Sequence, residues 1–266
     1  MSEVRPSGGH APAEPAAASD GNVRVFVSGS VAVLRLDRRR KLNALSTHME
    51  SALADALETE EVRSSRCVVL TGGSDVFSAG ADLSEIAALD PAAVFEYYAR
   101  SGGVYEKLAS LRQPSVSAIS GYCLGGGLEL ALATDLRVAD ESATFGFPEV
   151  GIGIVPSSGG IYRLVTMLGT AKARELILGR PRLSAADALR LGLLTEVTPV
   201  GESLDRALAL AGELAHLPPL ATSLAKRAID AAAESSKAVA LFVEQLAYAS
   251  LQQRPQLAVP EGDGRT

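Results

Sequence analysis

The regular patterning of the chain begins with two alternating runs, VRVFVS and VAVLRL, which are separated by Gly29. Alternation with a period of two is typical of half-buried strands, and a glycine between two such runs favours a tight turn. The pattern therefore predicts a β-hairpin. Three later apolar runs, CVVLTG, SVSAIS and LRVAD, predict short buried strands.

Helical periodicity separates these strands. It covers residues 48–57, residues 92–111 and the segment GGGLELALAT, and DLSEIAAL predicts a further short helix. Strands that alternate with helices are typical of βα units, in which the strands form a parallel sheet. This part of the chain is therefore expected to be an α/β core.

Two of the predicted helices begin with polar pairs at capping-box spacing. Thr47 is followed by Glu50, and Asp82 is followed by Glu85. In such a box the first side chain accepts a hydrogen bond from the backbone of the first helical turn. The spacing predicts Thr47 and Asp82 as N-caps.

The pattern changes to successive helices after Gly159. The predicted helices are IYRLVTML, AKARELIL, SAADALRL and the stretches 202–215, 219–234 and 237–252, and the predicted strand is TEVTPV. The first residues are rich in Ala, Pro, Ser and Gly and lack the apolar segment of a signal peptide. We expect a disordered tail over residues 1–21, an α/β core over residues 22–200 and a helical C-terminal region over residues 201–266.

Composition narrows the classes of function. The chain has 266 residues, 47% of them hydrophobic, which is enough for a substantial core, and its formal net charge of -6 disfavours nucleic acid as a partner. No apolar stretch is long enough to span a membrane, so a soluble cytoplasmic protein is expected. Cys67 and Cys123 lie in apolar runs without CxxC spacing, which predicts buried thiols and no metal site.

The segment SAISGYCLGGGLELALATDL places three glycines, Gly125 to Gly127, between a strand and a helix. Glycine lets the backbone approach a ligand, and the first N–H groups of a helix are free to bind an oxygen that becomes negative. Close packing of helix on strand explains the glycines equally well. Glu129 shares an apolar helix face with Leu132, which fits either a carboxylate with a tuned pKa or a glutamate paired with a distant arginine.

A second carboxylate, Glu149, follows Pro148 in the apolar segment FGFPEVGIGIVP. Two carboxylates in apolar surroundings can hold one water, with one polarising it and the other exchanging a proton with carbon. The turn DVFSAGADLSEI can supply a second N–H donor, since the ends of parallel strands meet at one sheet edge. It also fits an ordinary loop capped by Asp82, and both interpretations can hold together.

Four consecutive cations, Arg38, Arg39, Arg40 and Lys41, follow the strand VAVLRLD. Such a cluster fits either a solvated loop or a clamp for phosphate groups, for which arginine is well shaped. No aromatic residues are interleaved with it to stack bases, which again disfavours nucleic acid.

The motifs LDRRRKLNALS, VVLTGGSDVFSAGADLSEI, SAISGYCLGGGLELALATDLRVADESATFGFPEVGIGIVPSSGG and GRPRLSAADALRLGLLTEV together resemble the enoyl-CoA hydratase/isomerase, or crotonase, family. The resemblance spans residues 22–252. It implies an α/β fold, a crotonase-like ββα superhelix with a C-terminal helical trimerisation region, assembled as a homotrimer or a dimer of trimers. It also implies reversible addition of water to a 2-enoyl-CoA, with coenzyme A as part of the substrate and no separate cofactor.

The resemblance also implies roles for individual residues. The backbone N–H groups of Ala81 and Gly126 would form an oxyanion hole for the thioester oxygen. Glu149 would deliver the proton to Cα, and Glu129 would hold the attacking water and help to deprotonate it. The substrate and CoA contacts implied are Arg40, Lys41, Leu42, Ala79, Ala81, Asp82 and Gly126.

The chain departs from the family pattern in three places. Ser157 and Ser158 stand where family hydratases often have glycine or alanine, and their hydroxyls could reshape the water site or contact a polar acyl group. Arg39 replaces a common proline. The C-terminus, LQQRPQLAVPEGDGRT, lacks the usual lysine that contacts CoA.

Alternative functions remain open at this point. Isomerisation, hydrolysis or decarboxylation of an acyl-CoA would use the same oxyanion hole, although retention of both Glu129 and Glu149 favours hydration. A serine hydrolase is disfavoured, because neither His48 nor His216 lies beside a nucleophile-elbow motif. A non-catalytic acyl-CoA-binding or RNA-binding protein would leave the two glutamates without a role.

Overall fold

The computed structural model describes residues 22–88, 90 and 103–252. Its strands are β1 Asn22–Ser28, β2 Val31–Asp37, β3 Cys67–Thr71, β4 Ser115–Ile119, β5 Tyr122–Leu124, β6 Leu136–Asp140, β7 Thr144–Gly146, β8 Leu183–Ser184 and β9 Glu196–Thr198. Its α-helices are α1 Thr47–Ala56, α2 Glu60–Ser64, α3 Leu83–Ile86, α4 with described residues 103–109, α5 Gly126–Leu132, α6 Gly160–Gly179, α7 Ala185–Arg190, α8 Ser203–Ala215, α9 Pro219–Glu234 and α10 Lys237–Gln252. Two 3-10 helices span Arg39–Lys41 and Glu149–Ile152.

Six strands form the main sheet, in the order β1-β2-β3-β4-β6-β9. β1 and β2 are antiparallel, and the turn between them contains Gly29 at φ 60°. From β2 to β9 every pairing in this sheet is parallel. The predicted hairpin and the predicted parallel βα arrangement are both confirmed.

Both faces of this sheet are covered, which explains the apolar strands. In β2, Val31 and Val33 pack in one cluster with Ala207 and Ala211 of α8. Leu34, on the opposite face of the same strand, belongs to a larger cluster that includes residues of α1, α5, α6 and α7. Side chains that alternate along a strand thus pack against helices on opposite faces of the sheet.

A second, smaller sheet was not predicted. It contains β5, β7 and β8, in the order β5-β7-β8. Its strands have two or three residues each, so none is long enough to show a periodic pattern. The small sheet holds the chain between β4 and α5 beside the segment that leads to Glu149.

The expected N-cap of α1 is wrong by one residue. Ser46 caps the helix, because its Oγ accepts a hydrogen bond from the backbone N of Met49 at 3.2 Å. Thr47 lies inside the first turn and instead hydrogen-bonds Glu85. Glu50, the expected partner in the box, points inward and is 8% exposed.

The C-terminal part is helical, as expected. α8, α9 and α10 match the three predicted stretches closely. The predicted helices IYRLVTML and AKARELIL together form α6, which has a break at Gly169 with φ 77° and ψ 162°, and SAADALRL corresponds to α7. Lys226 of α9 binds Asp135 at 2.7 Å, and α10 packs against α9. The predicted tail, part of the predicted helix 92–111 and the last 14 residues, 253–266, lie outside the described residues.

In the part of the chain that the structure describes, no helix combines the length and the apolar character that crossing a bilayer requires.

Candidate active site

A pocket opens where the loop after β3, the turn between β5 and α5, the 3-10 helix Glu149–Ile152 and the start of α6 meet. The candidate residues that line it include Ala79, Ala81, Gly126, Glu129, Glu149, Ser157 and Ser158. The sequence motifs that suggested chemistry therefore converge on one place in the fold, although they are up to 78 residues apart in the chain.

The two glycine-bearing turns are held side by side by backbone hydrogen bonds. The backbone N of Ser78 donates to the carbonyl of Tyr122 at 2.8 Å, and the N of Leu124 donates to the carbonyl of Ser78 at 3.0 Å. This ladder aligns the loop after β3 with the approach to α5. It places Ala81 next to Gly126.

Two backbone N–H groups are neighbours in the pocket. A Cβ added at Gly126 would lie 3.6 Å from the backbone N of Ala81, and one added at Gly80 would lie 3.5 Å from the backbone N of Gly126. Within the described parts of the chain, neither N–H donates a hydrogen bond to another protein group. Gly126 begins α5, where a backbone N–H has no partner within the helix. Two such donors can stabilise an oxygen on which negative charge develops.

Gly125 is required by its conformation and by its neighbour. Its φ of 50° and ψ of -125° lie in a region that residues with a Cβ rarely adopt. A Cβ there would lie 2.8 Å from Oε1 of Glu149. The glycine therefore lets the carboxylate of Glu149 approach the start of α5.

Glu129 is 3% exposed and is held by the start of α6. Its Oε1 accepts hydrogen bonds from the backbone N of Ser158 at 2.8 Å and of Gly160 at 2.9 Å. Burial raises the pKa of this carboxyl above its ordinary value, and the backbone bonds from Gly160, Ser158 and Ser157, with the charge of Arg163, oppose that rise. The arginine partner that the sequence left open is thus present nearby, but backbone groups hold the carboxylate directly.

Glu149 has a contrasting environment. It is 7% exposed, and its Oε2 is buried without a hydrogen-bond partner among the described residues. Burial and, to a smaller extent, the negative charge of Glu129 together raise its pKa to about 7, against a hydrogen bond from its own backbone that lowers it. Near neutral pH this carboxyl can therefore either hold or release a proton.

The two glutamates thus form an asymmetric pair. The N–H donors favour the ionised form of Glu129, whereas no donor among the described residues reaches the buried Oε2 of Glu149. A proton shared by the pair is expected on Glu149, because a carboxylate that accepts several hydrogen bonds keeps its charge more readily. An ionised base beside a protonated acid is the arrangement that acid–base chemistry on one water requires.

The basic segment lies outside the lining of the pocket and divides into two parts. Arg40, Lys41 and Leu42 are exposed to solvent, and Leu42 is tied to the pocket because its carbonyl accepts from the backbone N of Ala79 at 2.9 Å. Arg38 instead turns inward and binds Asp82 at 2.7 Å. It is neither a solvated cation nor one that faces a ligand.

Asp82 is confirmed as an N-cap. Its Oδ1 accepts from the backbone N of Ser84 at 3.1 Å at the start of α3. The bond from Ser84 and the bond from Arg38 lower the pKa of Asp82 to about 2. The carboxylate of Asp82 is therefore bound within the protein, so Asp82 would contact a ligand through its backbone.

Sequence reasoning missed Asn43, which organises the loop after β3. Asn43 is fully buried, and its side-chain nitrogen reaches the carbonyls of Gly72, Val76 and Phe77 at 3.0, 3.0 and 3.2 Å. Its backbone φ of 51° is one that asparagine tolerates better than most residues. An asparagine after a cationic turn, in KLNALS, was the available signal, but its distant partners are set only by the fold.

Glu50 and Tyr105 also line the pocket and were not assigned to it from the sequence. The hydroxyl of Tyr105 donates to Oε1 of Glu50 at 3.3 Å. The spacing of Glu50 from Thr47 predicted a helix cap rather than a pocket residue, and Tyr105 belongs to a predicted helix with no polar motif. Their encounter across the pocket depends on how α1 and α4 pack.

The chain resembles known proteins over most of its length. Residues 27–262 match the family described as enoyl-CoA hydratase/isomerase. Among curated relatives, YngF of Bacillus subtilis, named for that family, is 40% identical over 82% of this chain and 85% of its own. The short-chain-enoyl-CoA hydratase of Clostridium acetobutylicum is 34% identical over 85% of this chain and 88% of its own.

Solved structures give the same result for the fold. The crystal structure of enoyl-CoA hydratase from Bacillus anthracis is 34% identical, with a TM-score of 0.82 over 88% of this chain and 92% of that one. A Thermobifida fusca protein solved in complex with CoA is 28% identical, with a TM-score of 0.80 over 87% and 93% of the two chains. The predicted crotonase-type α/β fold is therefore confirmed.

Proposed function

Since this chain belongs to the enoyl-CoA hydratase/isomerase family, we propose that it catalyses the reversible addition of water to a 2-enoyl-CoA, giving a 3-hydroxyacyl-CoA. Membership and the relatives support an acyl-CoA activity of the crotonase type. The specific reaction rests on the pocket. One observation carries it: two backbone N–H groups without a partner among the described residues and two buried, differently stabilised glutamates line the same cavity.

In the proposed mechanism, the thioester oxygen accepts hydrogen bonds from the backbone N–H groups of Ala81 and Gly126. Addition of water to a conjugated thioester pushes electron density onto this oxygen, so both bonds strengthen as the enolate forms. Loss of one such donor typically lowers turnover about 100- to 1000-fold. The protein supplies both donors from backbone that is already fixed by the ladder between the two turns.

Each of the two glutamates carries out one of the two proton transfers that the addition of one water molecule requires. Ionised Glu129 takes a proton from the water as its oxygen bonds to C3, and protonated Glu149 gives a proton to Cα of the enolate. The product gains the hydroxyl and one hydrogen, which together are one water. A proton then passes from Glu129 to Glu149 through solvent in the pocket, restoring the starting state.

The position of the basic segment supports a binding site for the CoA moiety. Arg40 and Lys41 are exposed cations, and the bond between Leu42 and Ala79 joins their loop to the pocket wall. Phosphate groups are well matched by such cations. We propose that the anionic end of CoA lies along this loop, with the thioester directed between the two glycine turns.

The C-terminal helices support a homotrimer or a dimer of trimers. α9 and α10 present large apolar side chains to solvent, which are Ile229, Val239, Leu241, Phe242, Leu246 and Tyr248. A group of exposed apolar side chains on neighbouring elements is typical of a surface that contacts another protein. We propose that this surface is buried between copies of this chain.

The activity is tested with the purified protein and crotonyl-CoA or a longer 2-enoyl-CoA. The expected result is loss of the enoyl-thioester absorbance and formation of a 3-hydroxyacyl-CoA, identified by mass spectrometry. Formation of free CoA, an isomer or a decarboxylated ester would instead indicate another reaction of the family.

The proton-transfer assignment is tested with Glu149→Gln. Turnover should fall by at least about 100-fold, because the amide cannot exchange the proton, while binding of a saturated acyl-CoA in calorimetry is kept. Glu141→Gln, at an exposed site, is the matched control and should retain activity. Equal activity of Glu149→Gln and the unaltered protein would overturn the assignment.

A further inference from the structure

The inward face of α1 carries one charged residue. Met49, Leu53 and Ala56 form its apolar stripe and are buried, and Glu50 lies beside them with only 8% of its surface exposed. A carboxylate in this position is costly unless it is hydrogen-bonded or used. Glu50 is also part of the lining of the candidate active site.

Tyr105 holds this carboxylate against the pocket. Its hydroxyl donates to Oε1 of Glu50 at 3.3 Å, and its side chain is 2% exposed. A Cβ added at Gly126 would lie 3.3 Å from the same hydroxyl. The Tyr105 hydroxyl, and with it the bond to Glu50, therefore lies beside the backbone that is proposed to bind the thioester oxygen.

The pair comes from other elements than the groups that hold the two glutamates of the proposed mechanism. Glu129 is held by the start of α6, and Glu149 approaches Gly125. Glu50 comes from α1, and its observed partner comes from α4. Glu50 is thus a third carboxylate in the lining of the pocket, and no step of the proposed mechanism uses it.

The lining of the pocket also contains the apolar residues Leu83, Ile152, Ile154 and Val155. An acyl chain that entered the pocket would displace water from its lining, which includes Glu50. An ionised carboxylate only accepts hydrogen bonds, and its two oxygens offer about four lone-pair positions, so bonds from Tyr105 and from a ligand can coexist. A plain alkyl chain cannot replace the lost water, whereas a chain with a donor can.

Resting on the proposed function, we infer that Glu50, held by Tyr105, is a specificity residue that selects acyl chains carrying a hydrogen-bond donor such as a hydroxyl group. A pocket built to bond a polar group discriminates against the analogue that lacks it more strongly than an apolar pocket discriminates by size.

The test compares 2-hexenoyl-CoA with its 4-, 5- and 6-hydroxy derivatives as substrates. For the unaltered protein, kcat/KM should be at least about tenfold higher for one hydroxy ester than for 2-hexenoyl-CoA. Glu50→Leu should reverse that preference, because it removes the acceptor and restores an apolar wall. Glu50→Gln, which keeps the shape, should reduce it and remains informative if the leucine variant does not fold.

Asp55→Asn is the matched control, since Asp55 lies on the solvent side of α1, and it should leave the preference unchanged. Binding of saturated hexanoyl-CoA and the hydroxyhexanoyl-CoA esters is measured in parallel by calorimetry. A binding preference that depends on Glu50 without hydration would contradict the proposed reaction and keep this inference. Hydration with the same substrate ratios in the unaltered, Glu50→Leu and Glu50→Gln proteins would overturn this inference alone.

Discussion

At the scale of single residues, two glutamates of the same type have different protonation behaviour because their neighbours differ. Glu129 accepts two backbone hydrogen bonds at 2.8 and 2.9 Å, whereas Oε2 of Glu149 is buried without a partner among the described residues. The pKa of Glu149 is raised to about 7 by burial and by the charge of Glu129. This difference is what makes one residue the expected base and the other the expected acid.

Activity should therefore depend on pH through Glu149. In hydration this residue must hold a proton, so kcat/KM for a 2-enoyl-CoA should decline as pH rises through about 7, where Glu149 loses its proton. Initial rates measured from pH 6 to pH 9 at low substrate concentration report this ionisation. A flat profile across that range would contradict the assigned protonation state.

Stability should depend on the same group, in a calculable direction. The pKa of Glu149 is about 7 in the folded protein and has its ordinary value of 4.5 in the unfolded chain, so the folded protein binds this proton more tightly. The stability that Glu149 contributes is therefore present at acid pH and is lost as pH rises from about 4.5 to about 7. Glu149→Gln, which is never charged, should raise Tm relative to the unaltered protein more at pH 8 than at pH 5. A Tm difference that does not change with pH would argue against burial of the charge. Glu141→Gln is the exposed control.

At the scale of elements, the ends of helices and strands position the chemistry. The start of α5 and the loop after β3 each supply one N–H that has no partner in the described part of the chain, and the start of α6 holds Glu129. Asn43 fixes that loop through three carbonyls, so its role is to position backbone rather than to contact substrate. Backbone and side-chain groups approach each other closely at these element ends, and glycine occurs where a Cβ would prevent that approach.

Gly160→Ala tests this requirement at the start of α6. The added Cβ would lie 2.5 Å from Cγ of Glu129 and 2.7 Å from its Oε1, so the carboxylate or the helix start must shift. Turnover should fall about 100-fold, since a displacement near 1 Å in a catalytic group typically has that effect. The measurement is kcat, with circular dichroism to verify that the protein is folded.

Gly212→Ala is the matched control, because Gly212 lies inside α8 and a Cβ there would meet no atom within 4 Å. Activity should be unchanged, and the free energy of unfolding should rise by up to about 1 kcal/mol, since alanine favours helix over glycine. Equal activity in the two alanine variants would refute the positional argument for Gly160.

At the scale of the whole molecule, the sheet and the C-terminal helices present two different kinds of surface. The pocket lies at the edge of the sheet, whereas α9 and α10 expose apolar side chains such as Phe242, which is 59% exposed. An isolated chain would leave this apolar surface in water, at a cost of about 25 cal/mol for each Å². Association of identical chains removes that cost.

Assembly is tested by sedimentation of the full-length protein. The unaltered protein should sediment as a trimer or a dimer of trimers, and Phe242→Glu should shift it toward the monomer, because the charge would be buried in the interface. Val200→Glu introduces the same charge at a site that is 65% exposed and outside the C-terminal helices, and it should leave the assembly intact. A monomeric unaltered protein would contradict the proposed assembly.

The sequence by itself determined the alternation of strands and helices, the hairpin at Gly29 and the family, because periodicity and turn residues act over short distances. It also identified Glu129 and Glu149 as candidates, although their catalytic roles stay predictions. Only the tertiary structure decided that Ser46 rather than Thr47 caps α1, that Arg38 turns inward and that Glu50 meets Tyr105. Each of these outcomes depends on which distant groups come within hydrogen-bond distance once the sheet and helices pack. No local pattern encodes those distances, and they also set the different pKa shifts of the two glutamates.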